Sequence, residues 1–498
     1  MALLKKIPFF LFLLALFFCL HGSVENYGYL NLYEVLEVGG IILLCTALFF
    51  GFTWLITKNY LFASLITFFV SGWYLFFGAI HDAIKSTSFL RFLQSYTVLL
   101  PVLLVINILV IWWLRKNKQL HQKLVLYLNI LFLIFCIGDI VLLVNKHFNY
   151  KETTVANPVP FDETKVTQKP NVYFLLFDEY AGYKSLQDSF GFKNDSFYHF
   201  LRQQQFTELP VFSNYDFTPF SISSVLNMQY VPENYTKQSL TQLDVQHRFG
   251  EIRNARVFGV FRSLDYKIDN LSIFDIKDYP ALYDHNGLFP IHAGLLTNKI
   301  FHNRFMKNVG WWFVSGRFAI PALKDYYMKK KDGYNRSVEE GVLKSISTKT
   351  AKPRFSYAHF LLPHGQFYRD SAGNFNPPEK ILDLKYLADK SLYLSYLKYT
   401  NNIIKKLVAQ VNANDPNAIV IIMSDHGFYD YILNGYDPYN FDSICWVRFP
   451  AAPPDTINLP RSNVNFFRYF FNTAYGQNLP YLKDSTVFVI EESAFKDQ

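Results

Sequence analysis

Cysteine and charge are both scarce in this chain. Four cysteines stand among 498 residues, with Cys19, Cys45 and Cys136 in apolar runs and Cys445 alone near the C-terminus. Neither a disulfide framework nor a CxxC zinc site can be built from them. Charged residues make up 18% against 51% hydrophobic, a balance that excludes disorder, collagen and a long coiled coil. The sequence has no basic cluster interleaved with aromatics and no repeat at solenoid or propeller periods. Nucleic acid is therefore not expected as a partner, and a repeat architecture is excluded. A mean hydropathy of +0.08 is high for a wholly soluble chain and points to lipid.

The apolar residues are concentrated near the start. Gly39 to Thr57, Tyr60 to Ile80, Tyr96 to Leu114 and Leu124 to Val144 are each long enough to cross about 30 Å of hydrocarbon. The shorter run from Ile7 to Leu20 follows Lys5 and Lys6 and has no small-x-small cleavage site after it, so it reads as a retained first span. Placing the N-terminus inside puts Lys5, Lys6, Lys58, Arg115, Lys116, Lys118 and Lys123 on the cytoplasmic side. The outer loops then keep Lys85, Arg91, Lys146 and Lys151, and the bias exports everything after Val144. Asn129 and Asp139 are polar exceptions within the spans, for which a structural role is expected; His81 and Asp82 read as a solvated outer loop.

The expected division is a transmembrane domain over residues 1–148, a linker over 149–170 and one large domain over 171–498. The linker is polar and holds three prolines. Three apolar runs beyond it end directly in chemistry-bearing residues: Val172 to Phe177 into Asp178-Glu179, Phe355 to Leu362 into Pro363-His364, and Ala418 to Met423 into Ser424-Asp425-His426-Gly427. Their length and their β-branched and aromatic content suit buried strands, whereas Asp389 to Val411 has helical spacing. Strands alternating with helices predict an α/β fold with a mostly parallel sheet, which collects ligands at the carboxyl ends of its strands.

Taken singly, an Asp at a strand end is ordinarily a cap or turn residue. Together, Asp178, Asp425 and His426 offer the mixed oxygen and imidazole ligands that suit zinc or manganese better than calcium. Thr218 precedes Pro219 and a run of small and apolar residues, so it reads as a helix N-cap. A hydroxyl there, beside a cation, would also lose its proton readily.

The order Asn171-x6-Asp178, Thr218 opening a helix, a His at a later strand end, then Ser424-Asp425-His426-Gly427 resembles the alkaline phosphatase and sulfatase superfamily. With the spans in front, it resembles the branch of lipoteichoic acid synthases and phosphoethanolamine transferases. That resemblance implies an N-terminal bundle of about five transmembrane helices followed by an extracytoplasmic alkaline phosphatase-like α/β/α domain. Position by position, it implies Asp178, Thr218, Asp425 and His426 as metal ligands, Thr218 as the nucleophile that becomes phosphorylated, and His364 as a substrate contact. Glu179 falls where sulfatases place a second acid. His359, five positions before His364, is expected to be packed or hydrogen-bonded.

The implied cofactor is one divalent metal ion, manganese or zinc, since no histidine follows His426 to complete a second site. The implied activity is a membrane-anchored phosphotransferase or phosphoester hydrolase, with membrane phospholipid or a surface glycan as substrate. A sulfuric ester hydrolase and an inactive envelope scaffold are the alternatives. Formylglycine sulfatases carry a C/S-x-P-x-R sequence, whereas here Thr218 cannot become the aldehyde and Ile222 stands at the arginine position.

Overall fold

A computed structural model describes residues 2–30, 32–149, 159–231, 242–282, 285–286, 288–290, 293–314, 318–382, 384–428, 438–450 and 457–489. The chain forms two packing units, Met1–Lys151 with Tyr283–Phe313, and Glu152–Leu282 with Val314–Gln498. Residues 150–158 of the expected linker lie outside the described residues.

The first unit is helical: α1 (Ala2–Lys6), α2 (Phe10–Glu25), α3 (Leu32–Thr57), α4 (Tyr60–Leu75), α5 (Phe77–Ser86), α6 (Tyr96–Lys116) and α7 (His121–Asn149). Among the described residues, three helices are long and apolar enough to cross a membrane, or four if the bent pair α4 and α5 is one span. This is fewer than the five expected, for two physical reasons. Helix α2 has 16 residues, about 24 Å at 1.5 Å per residue, short of a full hydrocarbon core. The run from Tyr60 is bent by 58° between α4 and α5.

At that bend the backbone N–H of Gly78 donates to Lys299 O at 2.7 Å, and a Cβ on Gly78 would lie 2.8 Å from Lys299 Cα. The segment Tyr283–Phe313, expected in the large domain, thus packs with the N-terminal helices. His302 Nδ1 lies 2.8 Å from the Tyr74 hydroxyl, and Phe301 meets Phe77 edge to face at 4.8 Å. His81 and Asp82 are in α5 and not in a solvated loop. His81 is buried and donates from Nε2 to Gln94 O at 2.9 Å, while Asp82 pairs with Arg304. Asn129 is a structural pin, accepting from Phe10 N at 2.7 Å and donating to Leu4 O and Ile7 O, both at 2.8 Å. Asp139 lies 3.4 Å from His21 Nδ1.

Among the described residues eight strands occur: β1 (Val172–Phe177), β2 (Thr207–Glu208), β3 (Lys267–Leu271), β4 (His285–Asn286), β5 (Phe289–Pro290), β6 (Arg354–Phe360), β7 (Ile419–Ser424) and β8 (Cys445–Arg448). The pair β4 and β5 belongs to the first unit. The other six form the sheet of the second unit in the order β2-β8-β7-β1-β6-β3. Contacts of β1 with β6 and β7, and of β3 with β6, are parallel; β8 runs antiparallel to β7 and β2. Strand alternation feeds two cores, one on each face. Val172, Phe174 and Leu176 join one with Tyr357 and Ile421, while Tyr173, Leu175 and Phe177 join the other with Ala358 and Ile422. The helix Lys390–Asn414 packs in the second core and is capped by Asp389, which accepts from Ser391 N and Leu392 N.

Candidate active site

Register brings the chemistry together. In the sheet Phe177 is level with both Phe360 on β6 and Ser424 on β7, so the next residues, Asp178 and Asp425, emerge side by side. Both carboxylates are buried, at 4% and 0% exposure. Two like charges in a dry site repel strongly unless a cation or a proton lies between them. The ligand atoms of Asp178, Asp425 and His426 all lie within 4.8 Å of one another. His426 Nε2 is 3.3 Å from Asp425 Oδ2 and 3.7 Å from Asp178 Oδ1.

The turns after the strands hold these groups in place. Asp425 Oδ1 accepts from Glu179 N at 3.1 Å and from its neighbour His426 N at 2.9 Å. Glu179 reaches this position with a φ of 62°, left-handed backbone that costs a non-glycine residue energy. The Ser424 hydroxyl accepts from Tyr180 N and donates to His426 O, and Tyr393, far along the chain, donates its hydroxyl proton to Glu179 O at 2.8 Å. At Gly427 a Cβ would lie 2.2 Å from Tyr439 O, so only glycine fits there. His426 Nδ1 donates to Gly427 O at 2.8 Å, which fixes the ring with Nε2 facing the two carboxylates.

A divalent cation fits this arrangement. Asp178 Oδ1 and Asp425 Oδ2, the two oxygens nearest His426 Nε2, are buried and have no hydrogen-bond partner. One imidazole nitrogen and two carboxylate oxygens form a donor set for zinc or manganese. Charges in the metal-free protein reflect the crowding. Burial alone would raise Asp178, but His364, His359 and His426 outweigh it and hold that carboxyl below the usual range. Asp425 is pushed up, by burial first and by Asp178 second.

Thr218 corrects its cap reading. Phe217, extended at φ −134° and ψ 124°, holds the N-cap position, and Thr218 is the first residue of the helix Thr218–Asn227. The Thr218 hydroxyl points into the cluster, 3.3 Å from His426 Nε2. Ser221, one turn on, donates to Asp425 O at 2.6 Å and ties this helix to the β7 turn.

His364 stands at the rim, partly exposed, with Nε2 3.9 Å from Glu179 Oε2. Its Nδ1 donates to Gly365 O. Burial would lower its pKa, but Asp178 and Glu179 raise it further than burial lowers it. Glu179 faces His364 and is not among the clustered ligands. Sequence reasoning missed Tyr393 and the placement of His359, which is fully buried with Nε2 3.7 Å from Asp178 Oδ2. The hint for His359 was its position one residue before the end of a strand.

A mostly parallel α/β sheet thus carries, at the carboxyl ends of its strands, a cluster of potential metal ligands with a hydroxyl beside it. Residues 282–467 match the Sulfatase family model. That match assigns a Sulfatase-type domain to this part of the chain. No curated protein matches it.

Among solved structures, the chain is similar to the C-terminal periplasmic domain of EptC from Escherichia coli in complex with Zn, at 10% identity over 65% of this chain and 86% of that one, with a TM-score of 0.39. It is similar to the integral membrane lipooligosaccharide phosphoethanolamine transferase A of Neisseria meningitidis, at 11% identity over 94% of each chain and a TM-score of 0.34. A phosphonate monoester hydrolase from Silicibacter pomeroyi is similar at 13% identity, over 64% of this chain and 75% of that one, with a TM-score of 0.40.

Proposed function

We propose that this chain is a membrane-anchored, metal-dependent phosphotransferase or phosphoester hydrolase that acts outside the cytoplasmic membrane through a phospho-Thr218 intermediate. The observation that carries the reading is the Thr218 hydroxyl, set 3.3 Å from His426 Nε2 beside the carboxylate cluster. Asp178, Asp425 and His426 would hold one zinc or manganese ion, with Thr218 beside it. When bound, the ion supplies Lewis acidity that lowers the pKa of the adjacent hydroxyl and offsets phosphoryl charge.

Thr218 attacks phosphorus as its alkoxide, its proton having passed to solvent. A bond from Thr218 Oγ to phosphorus forms as the bond from phosphorus to the leaving alcohol breaks. His364, whose basicity Asp178 and Glu179 raise against the effect of burial, gives its proton to the departing oxygen. An acceptor hydroxyl or water then attacks phosphorus, returns a proton to His364 and frees Thr218.

On the five-span reading of the sequence, seven cytoplasmic Lys and Arg against four outside favour export of the second unit. A location at the bilayer favours a phospholipid or surface-glycan phosphoester as substrate. Phosphate is preferred to sulfate because Thr218 cannot supply a formylglycine. The test is turnover of labelled phospholipid with mass spectrometry of both products, beside an aryl sulfate control. Acid trapping should yield a phosphorylated peptide containing Thr218; cleavage of the sulfate alone would overturn the reading.

A further inference from the structure

A buried histidine lies beside the cluster and outside the ligand set. His359 is 0% exposed, and neither of its ring nitrogens has a hydrogen-bond partner. Strand alternation puts it on the face of β6 that carries Phe355 and Tyr357, where its ring stacks on Phe274 at 5.8 Å. Its carbonyl accepts from the buried Tyr334 hydroxyl at 2.8 Å. Its neighbour Phe360 accepts from Asp178 N at 2.9 Å, so backbone and ring are both fixed next to Asp178.

An apolar side chain would fill this place without leaving two polar atoms bare, so packing alone does not account for an imidazole here. His359 Nε2 faces Asp178 Oδ2 at 3.7 Å, while Asp178 Oδ1 faces His426 Nε2. The carboxylate therefore stands between the ligand cluster and His359, with one oxygen turned to each.

We propose that His359 is a positioning residue: its Nε2–H donates to Asp178 Oδ2 and turns Oδ1 toward the cation. The inference rests on the cation site proposed above. At 3.7 Å the pair is wider than a formed hydrogen bond, and the closed contact is assigned to the cation-bound protein. A partner of this kind sets the orientation and basicity of a ligand without touching the metal, and its loss typically weakens binding about 10–100-fold.

The test uses the full chain in detergent, stripped with EDTA and titrated calorimetrically with manganese or zinc chloride alone. His359→Gln keeps an N–H donor near the Nε2 position, His359→Asn keeps one only near Nδ1, and His359→Met keeps none. The expected result is near wild-type affinity for Gln and a loss of about 10–100-fold for Asn and Met, with unchanged melting temperature in EDTA. Should Met fail to fold, the comparison of Gln with Asn decides. Equal affinity of Gln and Asn, or of Met and wild type, overturns the inference while leaving the cation site standing. Failure of the wild type to bind either ion overturns both.

Discussion

Asp425→Asn separates a metal ligand from a scaffold residue. Asp425 Oδ1 accepts two backbone N–H bonds, and the amide oxygen of asparagine can keep both. The second oxygen, Oδ2, is buried without a partner, and an NH2 in its place can donate toward Asp178 Oδ1, which also lacks one. In EDTA the variant should therefore match the wild type within about 1 kcal/mol.

With metal the two should diverge. At a free ion concentration of 100 times the dissociation constant, binding stabilises the folded protein by about 2.7 kcal/mol. For large domains that corresponds to roughly 5–10 °C in melting temperature. Wild type should gain that increment on adding manganese or zinc and the variant should gain little, as read by thermal unfolding in detergent with and without EDTA. An undiminished increment in Asp425→Asn refutes its role as a ligand. A loss of several kcal/mol already present in EDTA would mean that the carboxylate holds the β7 turn together instead.

Thr218→Ala should abolish turnover yet change stability by less than the ~1 kcal/mol of a lost cap, since Phe217 and not Thr218 holds the N-cap position; full turnover by this variant would sink the covalent mechanism. In the metal-free protein His426 is pushed up to about 9, because Asp425, Asp178 and Glu179 outweigh burial, which would lower it. A folded pKa above the unfolded value of about 6.5 gives stabilisation that is complete below 6.5 and lost as pH rises through about 9. Melting temperature in EDTA should fall over that window more steeply for wild type than for His426→Gln, and equal slopes would contradict the sign. Burial drives the Cys445 thiol well above its usual range, so a membrane-permeant maleimide should spare Cys445 until the protein is denatured. Labelling of Cys445 in the native protein would refute its burial.

The strand ends were legible because each apolar run stops abruptly at a polar residue, and a buried strand cannot continue through Asp178 or Asp425. The register that sets those two level was not legible, because it depends on pairing between segments more than two hundred residues apart. The cap reading of Thr218 failed on a single residue: an extended Phe217 suffices to start the helix, and a spacing pattern does not reveal which atom a hydroxyl faces. His359 was expected to be packed, and it is buried, but its approach to Asp178 depends on which strand lies beside β6. His81 misled because the end of an apolar run resembles a loop when the segment that covers it, around Phe301, lies two hundred residues away.

The excursion of Tyr283–Phe313 into the first unit changes how the catalytic unit is moored. The chain crosses from one unit to the other three times, after Lys151, after Leu282 and after Phe313. A protease that nicks only the segment between Asn149 and Pro170 severs one of three covalent threads. The downstream fragment still carries the stretch from Phe289 to Asn308, whose Ile300 and Leu296 are sunk among apolar residues of α2 and α3. Two bands on a denaturing gel should therefore sediment together with membranes, and only a second cut near each end of the excursion would set the catalytic unit adrift.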